Sequence, residues 1–536
     1  MMKKFCDTCE VSYIDENDES YLHCKELRHE ILDMPKDSDT QAKEAKATKE
    51  KKVKQIYKIK GLIGNGFVES VLVDGNPMFL AKDMNTKKIF VMDKIKLKNE
   101  IFKPLEKGQY GYLPYSFTSA EITKLSNIII SKEEVLDEIK GQIDRFIEAK
   151  ELDKHLILGD IFLTYCQEWI STIHFPFFVG ETESGKSSVL HLGKWLNYRC
   201  MYGEDIPNAD IYHFLGSDEE GCGTIVEDEA QEIYKNREKI RTYKSSYSKG
   251  SSKARMLMLS HRQEQNFYKT FCPKWFAGEK VPHDKGFSER LAIVYMTEGF
   301  PQSNIKRVSK EEMNILNKIR NKMLFWKIQN IENELPKVNL DLKGRDQELW
   351  EDYLSCVNRT KYYEKCHNVV MFYVNQRKES IRNSLEAKLF GLLLEKMDEN
   401  LEVNFVNFWQ HITTENPQLP GSFKSNSQRT FYPDDHPSAI TQYSVAKIVD
   451  YKFQGKKTVK KFRESNVQRQ KTVYSFKKEV LERLVQKYGI TIPVDHILYV
   501  GQLHQQGQQV GDQDDLDDPL KESQTPSHSL GVGGHS

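Results

Sequence analysis

The spacing of apolar residues divides this chain into stretches of different period. Between Gln55 and about Ile101 short apolar runs (Ile56–Ile59, Val68–Val73, Met78–Leu80, Ile89–Met92) are separated by the turn sequences Gly64-Asn65-Gly66, Asp74-Gly75-Asn76-Pro77 and Asp83-Met84-Asn85. That alternation predicts a small antiparallel β domain over residues 55–115, followed by an aromatic connector from Tyr110 to Phe117. From Glu133 to Lys150 the period changes: Val135, Ile139, Ile143, Phe146 and Ile147 recur every three or four residues and predict a helix, with a second from about Asp153 to Ser171. Short, nearly continuous apolar runs follow at Phe175–Val179, Thr224–Val226, Lys274–Gly278 and Leu291–Tyr295, the pattern of buried strands. Residues 310–400 return to helical spacing, most clearly at Leu389, Leu392, Leu393 and Met397. Thr413–Pro437 reads as a loop, Ser438–Phe453 as a helix, and Glu479–Tyr488 as the last helix.

This order predicts a multidomain α/β protein. The divisions are 1–32, a linker over 33–54, the β domain at 55–115, an α/β core with a helical lead-in at 130–305, a helical lid or connector at 306–400, an α+β region at 401–495, and a tail at 502–536. At 536 residues the chain is too long for one compact core. Its 78 Lys and Arg balance 78 Asp and Glu, so only the distribution of charge is informative about partners. The linker is Lys-, Glu-, Asp-, Ala- and Thr-rich, and the tail is polar with an acidic run at Asp512–Asp518; both read as disordered or solvated segments. No apolar run is long enough to span a membrane, and the amino terminus lacks the apolar core of a signal peptide. Nine cysteines without regular spacing read as reduced thiols, so the expectation is a soluble cytoplasmic protein.

The apolar run Phe175–Val179 feeds into Gly180-Glu181-Thr182-Glu183-Ser184-Gly185-Lys186-Ser187-Ser188, and helical spacing resumes at Val189. Strand, glycine-bounded loop and helix in that order make a cradle for phosphate. Glycines let successive N–H groups turn toward an anion, and the helix directs the positive end of its dipole there. Lys186 is then placed to reach the β- and γ-phosphates of ATP, and Ser187 to ligate Mg²⁺. Hydrolysis needs an acidic strand end as well, and Thr224-Ile225-Val226-Glu227-Asp228-Glu229 supplies one. Asp228 is assigned to Mg²⁺ and Glu229 to polarising the attacking water. Farther on, Arg237–Arg255 is basic and interleaved with tyrosines. Lys249, Lys253 and Arg255 there suit nucleic-acid phosphates, and a solvated basic loop is the competing reading.

The pieces GETESGKSS, TIVEDEAQEI, SYSKGSSKAR, PKWFAGEKVP and SERLAIVYM resemble, in this order, the P-loop core of AAA+ and superfamily 3 helicase-like ATPases of viruses, plasmids and prophages. The short interval between Ser188 and Thr224 suits these compact cores better than a RecA-like one. The likeness covers under a third of the chain, residues 150–300. It implies a catalytic set of Lys186, Glu229 and Arg290, the arginine reaching a neighbouring subunit's nucleotide in a ring. It also implies a sensor at Glu279 or Lys280, where the family's usual Asn or Thr is absent, and a pore hairpin within the basic stretch.

Two regions remain. Cys6-x2-Cys9 with His23, Cys24 and His29 approaches zinc-finger spacing, Cys24 being an alternative to His23, against incidental cysteines in a leader. After the Ser438–Phe453 helix come Lys456, Lys457, Lys460, Lys461, Arg463, Arg469 and Lys471 around a polar turn at Asn466. Helix, basic hairpin and closing helix read as a winged-helix-like DNA-binding region; a lysine-protected edge is the bland alternative. The expected function is an ATP-dependent DNA translocase or helicase of a mobile element. A DNA-binding regulator switched by nucleotide, without unwinding, is the alternative.

Overall fold

The computed structural model describes residues 54–106, 113–216, 219–259, 262–412, 440–464, 467–492 and 498, with the short backbone strands Lys4–Phe5, Ser12–Tyr13 and Thr430–Phe431. Only the backbone is described at 234, 254–259, 262–266, 440, 462–464 and 467–469. The proposed zinc ligands Cys6, Cys9, His23, Cys24 and His29, the 33–53 linker and the 502–536 tail lie outside the described residues. The chain forms two compact units, Met1–Tyr362 and Tyr363–Ser536. No helix among the described residues is long and apolar enough to cross a membrane.

The first unit opens with the β region. Gly66–Val73 pairs antiparallel with Lys60–Ile63 and with Asn76–Asp83, which in turn pairs with Ile89–Met92. The expectation of a purely antiparallel domain is corrected by two parallel pairs. Ser116–Phe117, from the aromatic connector, lies parallel to Leu72–Val73, and Lys54–Lys58 lies parallel to Glu100–Pro104. Gly66–Val73 is buried on both faces, down to Glu69 and Ser70.

The helical lead-in follows. Lys132–Phe146 buries Val135, Leu136, Ile139, Ile143 and Phe146, the stripe the period requires. Glu151–Tyr165 is buried almost all round, as its apolar composition demands. The chain then builds a five-stranded, all-parallel sheet: β1 (Phe175–Val179), β2 (Cys200–Glu204), β3 (Thr224–Asp228), β4 (Lys274–Gly278) and β5 (Leu291–Tyr295). Their order is β2-β3-β4-β1-β5. Helix α1 (Lys186–Leu196) crosses from β1 toward β2 and buries Val189, Leu190, Leu192 and Leu196. Parallel strands buried on both faces need continuous apolar runs, and β1, β3 and β4 are buried throughout. Between β3 and β4 stand the helix Arg237–Ser245 and an antiparallel hairpin, Ser252–Leu259 with Arg262–Lys269. The helices Lys310–Asn330 and Arg345–Val357 complete the unit.

The β region and the parallel sheet are joined through buried charge. Glu69 accepts from Lys327 Nζ at 2.6 Å, Arg199 at 3.0 Å and the Tyr198 hydroxyl at 2.7 Å. Lys327 also meets Glu168 at 2.9 Å, and Lys60 meets Glu168 at 2.5 Å while donating to the Gly221 carbonyl at 2.7 Å. Burial opposes ionisation of Glu168, but the ammonium groups of Lys327 and Lys60 overcome it and hold its pKa at about 2.

The second unit begins with the helices Tyr363–Arg382 and Leu385–Glu395. Strand Glu402–Asn404 pairs with Val467–Ser475, which pairs with Lys456–Glu464, giving a three-stranded antiparallel sheet. Helices Phe405–Gln410, Gln442–Lys447 and Lys478–Tyr488 pack on it around Phe390, Phe408, Val445, Val449, Tyr474 and Leu481. Part of the expected 413–437 loop, Thr430–Phe431, pairs instead with Ile440–Thr441.

Removing one partner of the buried network leaves charges without water or a counter-ion. Lys327→Met is expected to lower unfolding free energy by about 3–5 kcal/mol, measured by chemical denaturation. Glu168 takes up its proton at about pH 2 when folded and at about pH 4.3 in an unfolded chain. Its contribution to wild-type stability is therefore complete above the unfolded value and lost as pH falls toward the folded one. An acid denaturation series is expected to show that loss, and to show less of it in Lys327→Met.

Candidate functional site

All strands of the parallel sheet point their carboxyl ends to one edge, and β4 lies between β1 and β3. Ligands of open α/β sheets bind outside that edge, where neighbouring connections diverge. The loop 180–185 emerges there from β1. Gly180 leaves no room for a side chain: a Cβ would lie 2.5 Å from Ser184 Oγ and 2.6 Å from the Met296 carbonyl oxygen. Gly185 has φ +86°, in the left-handed region, immediately before α1.

Within the loop, Lys186 Nζ donates to the carbonyl oxygens of Gly180 at 2.7 Å and Glu181 at 2.6 Å. Ser184 and Lys186 are buried, Ser187 and Ser188 half-buried, and Glu181, Thr182 and Glu183 exposed. One residue into α1, the Ser187 hydroxyl donates to Asp228 Oδ2 at 3.1 Å. Asp228 is the buried last residue of β3, so the loop and the acidic strand end, distant in sequence, meet side chain to side chain. The field of Asp228 extends to the neighbouring rings. Burial and then Asp228 push Tyr202 up to about 12. His191, 5.0 Å from the Tyr202 ring, is lowered by burial, Lys306 and Lys194 against the pull of Asp228.

The acidic triplet divides into three different roles. Glu227 points inward to Lys239 at 2.6 Å and the Tyr243 hydroxyl at 2.8 Å; burial raises its pKa despite both partners. Asp228 faces Ser187. Glu229 is exposed, in the left-handed region with φ 54°, and its backbone N–H donates to Asp228 Oδ1 at 3.0 Å. Gln231 Nε2 donates to Glu229 Oε2 at 2.6 Å, while Gln231 Oε1 accepts from the Glu279 N–H at 3.3 Å. A Cβ on Gly278 would lie 2.5 Å from that Oε1, so a glycine there admits Gln231. A cavity of about 830 Å³ beside these groups is lined by Glu229, Gln231, Lys235, Arg237 and Lys239 among others.

Glu279 and Lys280 stand exposed at the end of β4, on the same edge as the loop; the Gly180 N–H donates to the Gly278 carbonyl at 3.4 Å. Arg290 is at the other edge. Its carbonyl accepts from Phe175 N–H at 2.9 Å at the start of β1, separated from Gly180 by the whole five-residue strand at about 3.3 Å per residue. Its guanidinium lies 4.5 Å from the Tyr247 ring and donates to the Gly286 carbonyl, and Arg345 covers the same ring at 4.8 Å. Burial and then the Arg345 charge hold Arg290 below its ordinary value.

The basic stretch is more structured than its composition suggests. Arg237–Ser245 is a helix that buries Lys239 and Tyr243, because Glu227 requires partners inside. Lys249 is half-buried and donates to the Glu168 carbonyl at 2.8 Å over the Phe271 ring. Lys253 is half-buried on the hairpin, and the Arg255 side chain lies outside the described residues. In the second unit Lys456, Lys457, Lys460 and Lys461 are exposed and Lys471 is half-buried; Lys460 pairs with Glu402. The side chains of Arg463 and Arg469 lie outside the described residues. Among the described residues no cluster of three or more His, Cys, Asp or Glu side chains has metal-binding geometry. Gln231, Gly278 and Met296 were not singled out from the sequence. A polar residue two places beyond Glu229 was the sole signal for Gln231.

No protein-family model matches the chain, and no curated protein is similar to it. Among solved structures it is similar to apo forms of the NrS-1 C-terminal region. Two A-form structures are 12% and 11% identical, with TM-scores of 0.33 and 0.31, and a further apo structure is 10% identical with a TM-score of 0.33. Each alignment covers 76% of this chain and 96% of the other.

Because the Gly180 position has backbone and side-chain oxygens within 2.6 Å of any Cβ, Gly180→Ala is expected to displace the loop and lower stability by about 1–3 kcal/mol. A shift in thermal midpoint relative to Gly75→Ala, at a position where a Cβ meets nothing within 4 Å, checks it.

Proposed function

We propose that this protein is an ATP-hydrolysing motor of the P-loop, AAA+ or superfamily 3 helicase-like class, acting on DNA as a ring-forming translocase or helicase. The observation that carries the reading is the contact of the Ser187 hydroxyl with Asp228 at 3.1 Å. It lies at the edge where Lys186 and the Gly180–Gly185 loop also stand, in a sheet whose strand order inserts β4 between β1 and β3. A hydroxyl and a carboxylate oxygen brought together beside a glycine loop are hard oxygen donors suited to Mg²⁺. Ser187 and Asp228 would hold that ion, which when bound neutralises charge on the transferring phosphoryl group.

The chain's own groups then divide the work. Loop N–H groups and the amino end of α1 orient the phosphates. Lys186 exchanges its loop carbonyl partners for phosphate oxygens. Glu229, exposed beside Asp228, takes the proton of the attacking water. Gln231 positions that carboxylate and ties it to the end of β4. Arg290 cannot serve its own loop from the opposite edge of the sheet, so its role is in a neighbouring subunit's site, as an arginine that stabilises transition-state charge. The hairpin between β3 and β4 and the lysine-rich second unit are assigned to DNA. In that unit a helix, a strand, two helices separated by a short strand pair, a hairpin and a closing helix follow in order, which supports the winged-helix reading. Origin in a mobile element rests on the sequence resemblance alone.

ATP turnover with and without DNA is the direct test; a rate indifferent to single- and double-stranded DNA would sink the motor reading. Strand displacement on a forked duplex separates a helicase from a nucleotide-switched regulator. Glu229→Gln is expected to bind ATP and lose about 10²–10⁴-fold in kcat, and normal turnover would remove the general-base assignment. Gln231→Ala is expected to lower kcat with KM unchanged, and to add nothing in the Glu229→Gln background, since it acts through that carboxylate. Arg290→Ala should retain ATP binding and lose hydrolysis. Mixing it with Lys186→Ala subunits, whose Arg290 is intact, should restore part of the rate if the arginine acts between subunits.

A further inference from the structure

The helix Gln442–Lys447 continues through a wider turn, Ile448–Lys452, whose backbone closes i to i+5. In a straight α-helix residues eight apart drift about 80° around the axis; the wider turn takes up that drift. One stripe, Val445, Val449 and Phe453, is buried in the core of the second unit. A second stripe of the same spacing, Tyr443, Lys447 and Tyr451, faces water. Tyr443 is 69% exposed and Tyr451 79% exposed, and Lys447 Nζ lies 4.6 Å from the Tyr443 ring. Two large aromatic rings left in water on a helix whose other side is fully packed contribute nothing to that core.

The exposed charges of the helix and of the strand after it are mostly basic. Lys447, Lys452, Lys456, Lys457 and Lys461 are exposed. The nearby carboxylates are engaged: Glu386 meets Lys452 at 3.6 Å, and Glu402 pairs with Lys460. Asp450 faces the Tyr474 hydroxyl, which burial and that carboxylate push up to about 12.

We infer that this helix binds single-stranded DNA, stacking unpaired bases on Tyr443 and Tyr451 while Lys447, on the same stripe, and lysines of the following strand meet the phosphates. This deepens the DNA-directed reading of the second unit and rests on it. A duplex offers ring faces only at its ends, so an exposed pair of tyrosines is useful chiefly to a strand whose bases are free. Lysines spaced among the rings supply the salt-dependent, sequence-independent part of the affinity.

The test uses the full-length protein and fluorescence anisotropy with a labelled oligo-thymidine and a hairpin-closed duplex. Tyr443→Ala and Tyr451→Ala are each expected to weaken oligo-thymidine binding at least about fivefold, with duplex affinity unchanged. Tyr443→Phe and Tyr451→Phe, which keep the ring, should retain wild-type affinity, and DNA-free ATP turnover should be unaltered in all four. Equal losses on single strand and duplex, loss in the Phe variants, or no loss in the Ala variants would overturn the stacking role while leaving DNA binding intact. Wild-type protein that binds neither DNA would overturn the DNA-directed reading together with it.

Discussion

The first unit depends on one buried carboxylate. Glu69 is fully buried on a central β strand and is surrounded by Lys327, Arg199 and the Tyr198 hydroxyl. The partners come from two distant parts of the chain: Lys327 from a late helix, and Tyr198 and Arg199 from the residues that connect α1 to β2. Desolvating charges at this depth costs several kcal/mol per ion, and only complete mutual satisfaction recovers it. Glu168, just after the second lead-in helix, completes the balance through Lys60 and Lys327. Apolar packing alone tolerates sliding, whereas a paired charge network has one arrangement. The β region, lead-in helices and parallel sheet are consequently fixed in a single register.

That fixed frame gives the candidate site its geometry. The insertion of β4 between β1 and β3 spaces the glycine loop and the acidic strand end so that Ser187 reaches Asp228. The glycine at the end of β4 lets Gln231 lean across to Glu229. The two edges of the sheet are also distinguished: every loop carrying candidate phosphate chemistry lies at one, and Arg290 lies at the other.

Much of this was legible in the sequence because the signals are local. The glycine loop, Lys186, Ser187 and the strand ending in Asp228 depend on neighbours within a few residues, and all stand where their pattern indicates. The second unit's hairpin was likewise readable from alternating basic residues and a polar turn. What escaped notice depends on long-range pairing. Nothing near Glu69 indicates that Lys327 will neutralise it, and nothing near Lys249 indicates that it will fold back onto Glu168. Glu227 and Glu229 are two places apart, which on a continuing strand would put both on one face, yet the strand ends at Asp228 and Glu229 turns into the left-handed region, so that Glu227 is held inward by Lys239 and Glu229 is left in water. The parallel placement of Ser116–Phe117 could not be read either, because two residues carry no period.

Helix α1 holds Ser187 at one end, and at its other end the chain passes through Asn197 directly into Tyr198 and Arg199, inside the charge network. The helix is thus a strut braced at its far end, about 16 Å from the loop it carries. The opposite wall is connected differently: β3 and β4 are joined through a helix and a hairpin that forms a two-stranded sheet of its own. The candidate site therefore lies between one wall tied directly into the charge network and another whose connection runs outside the parallel sheet.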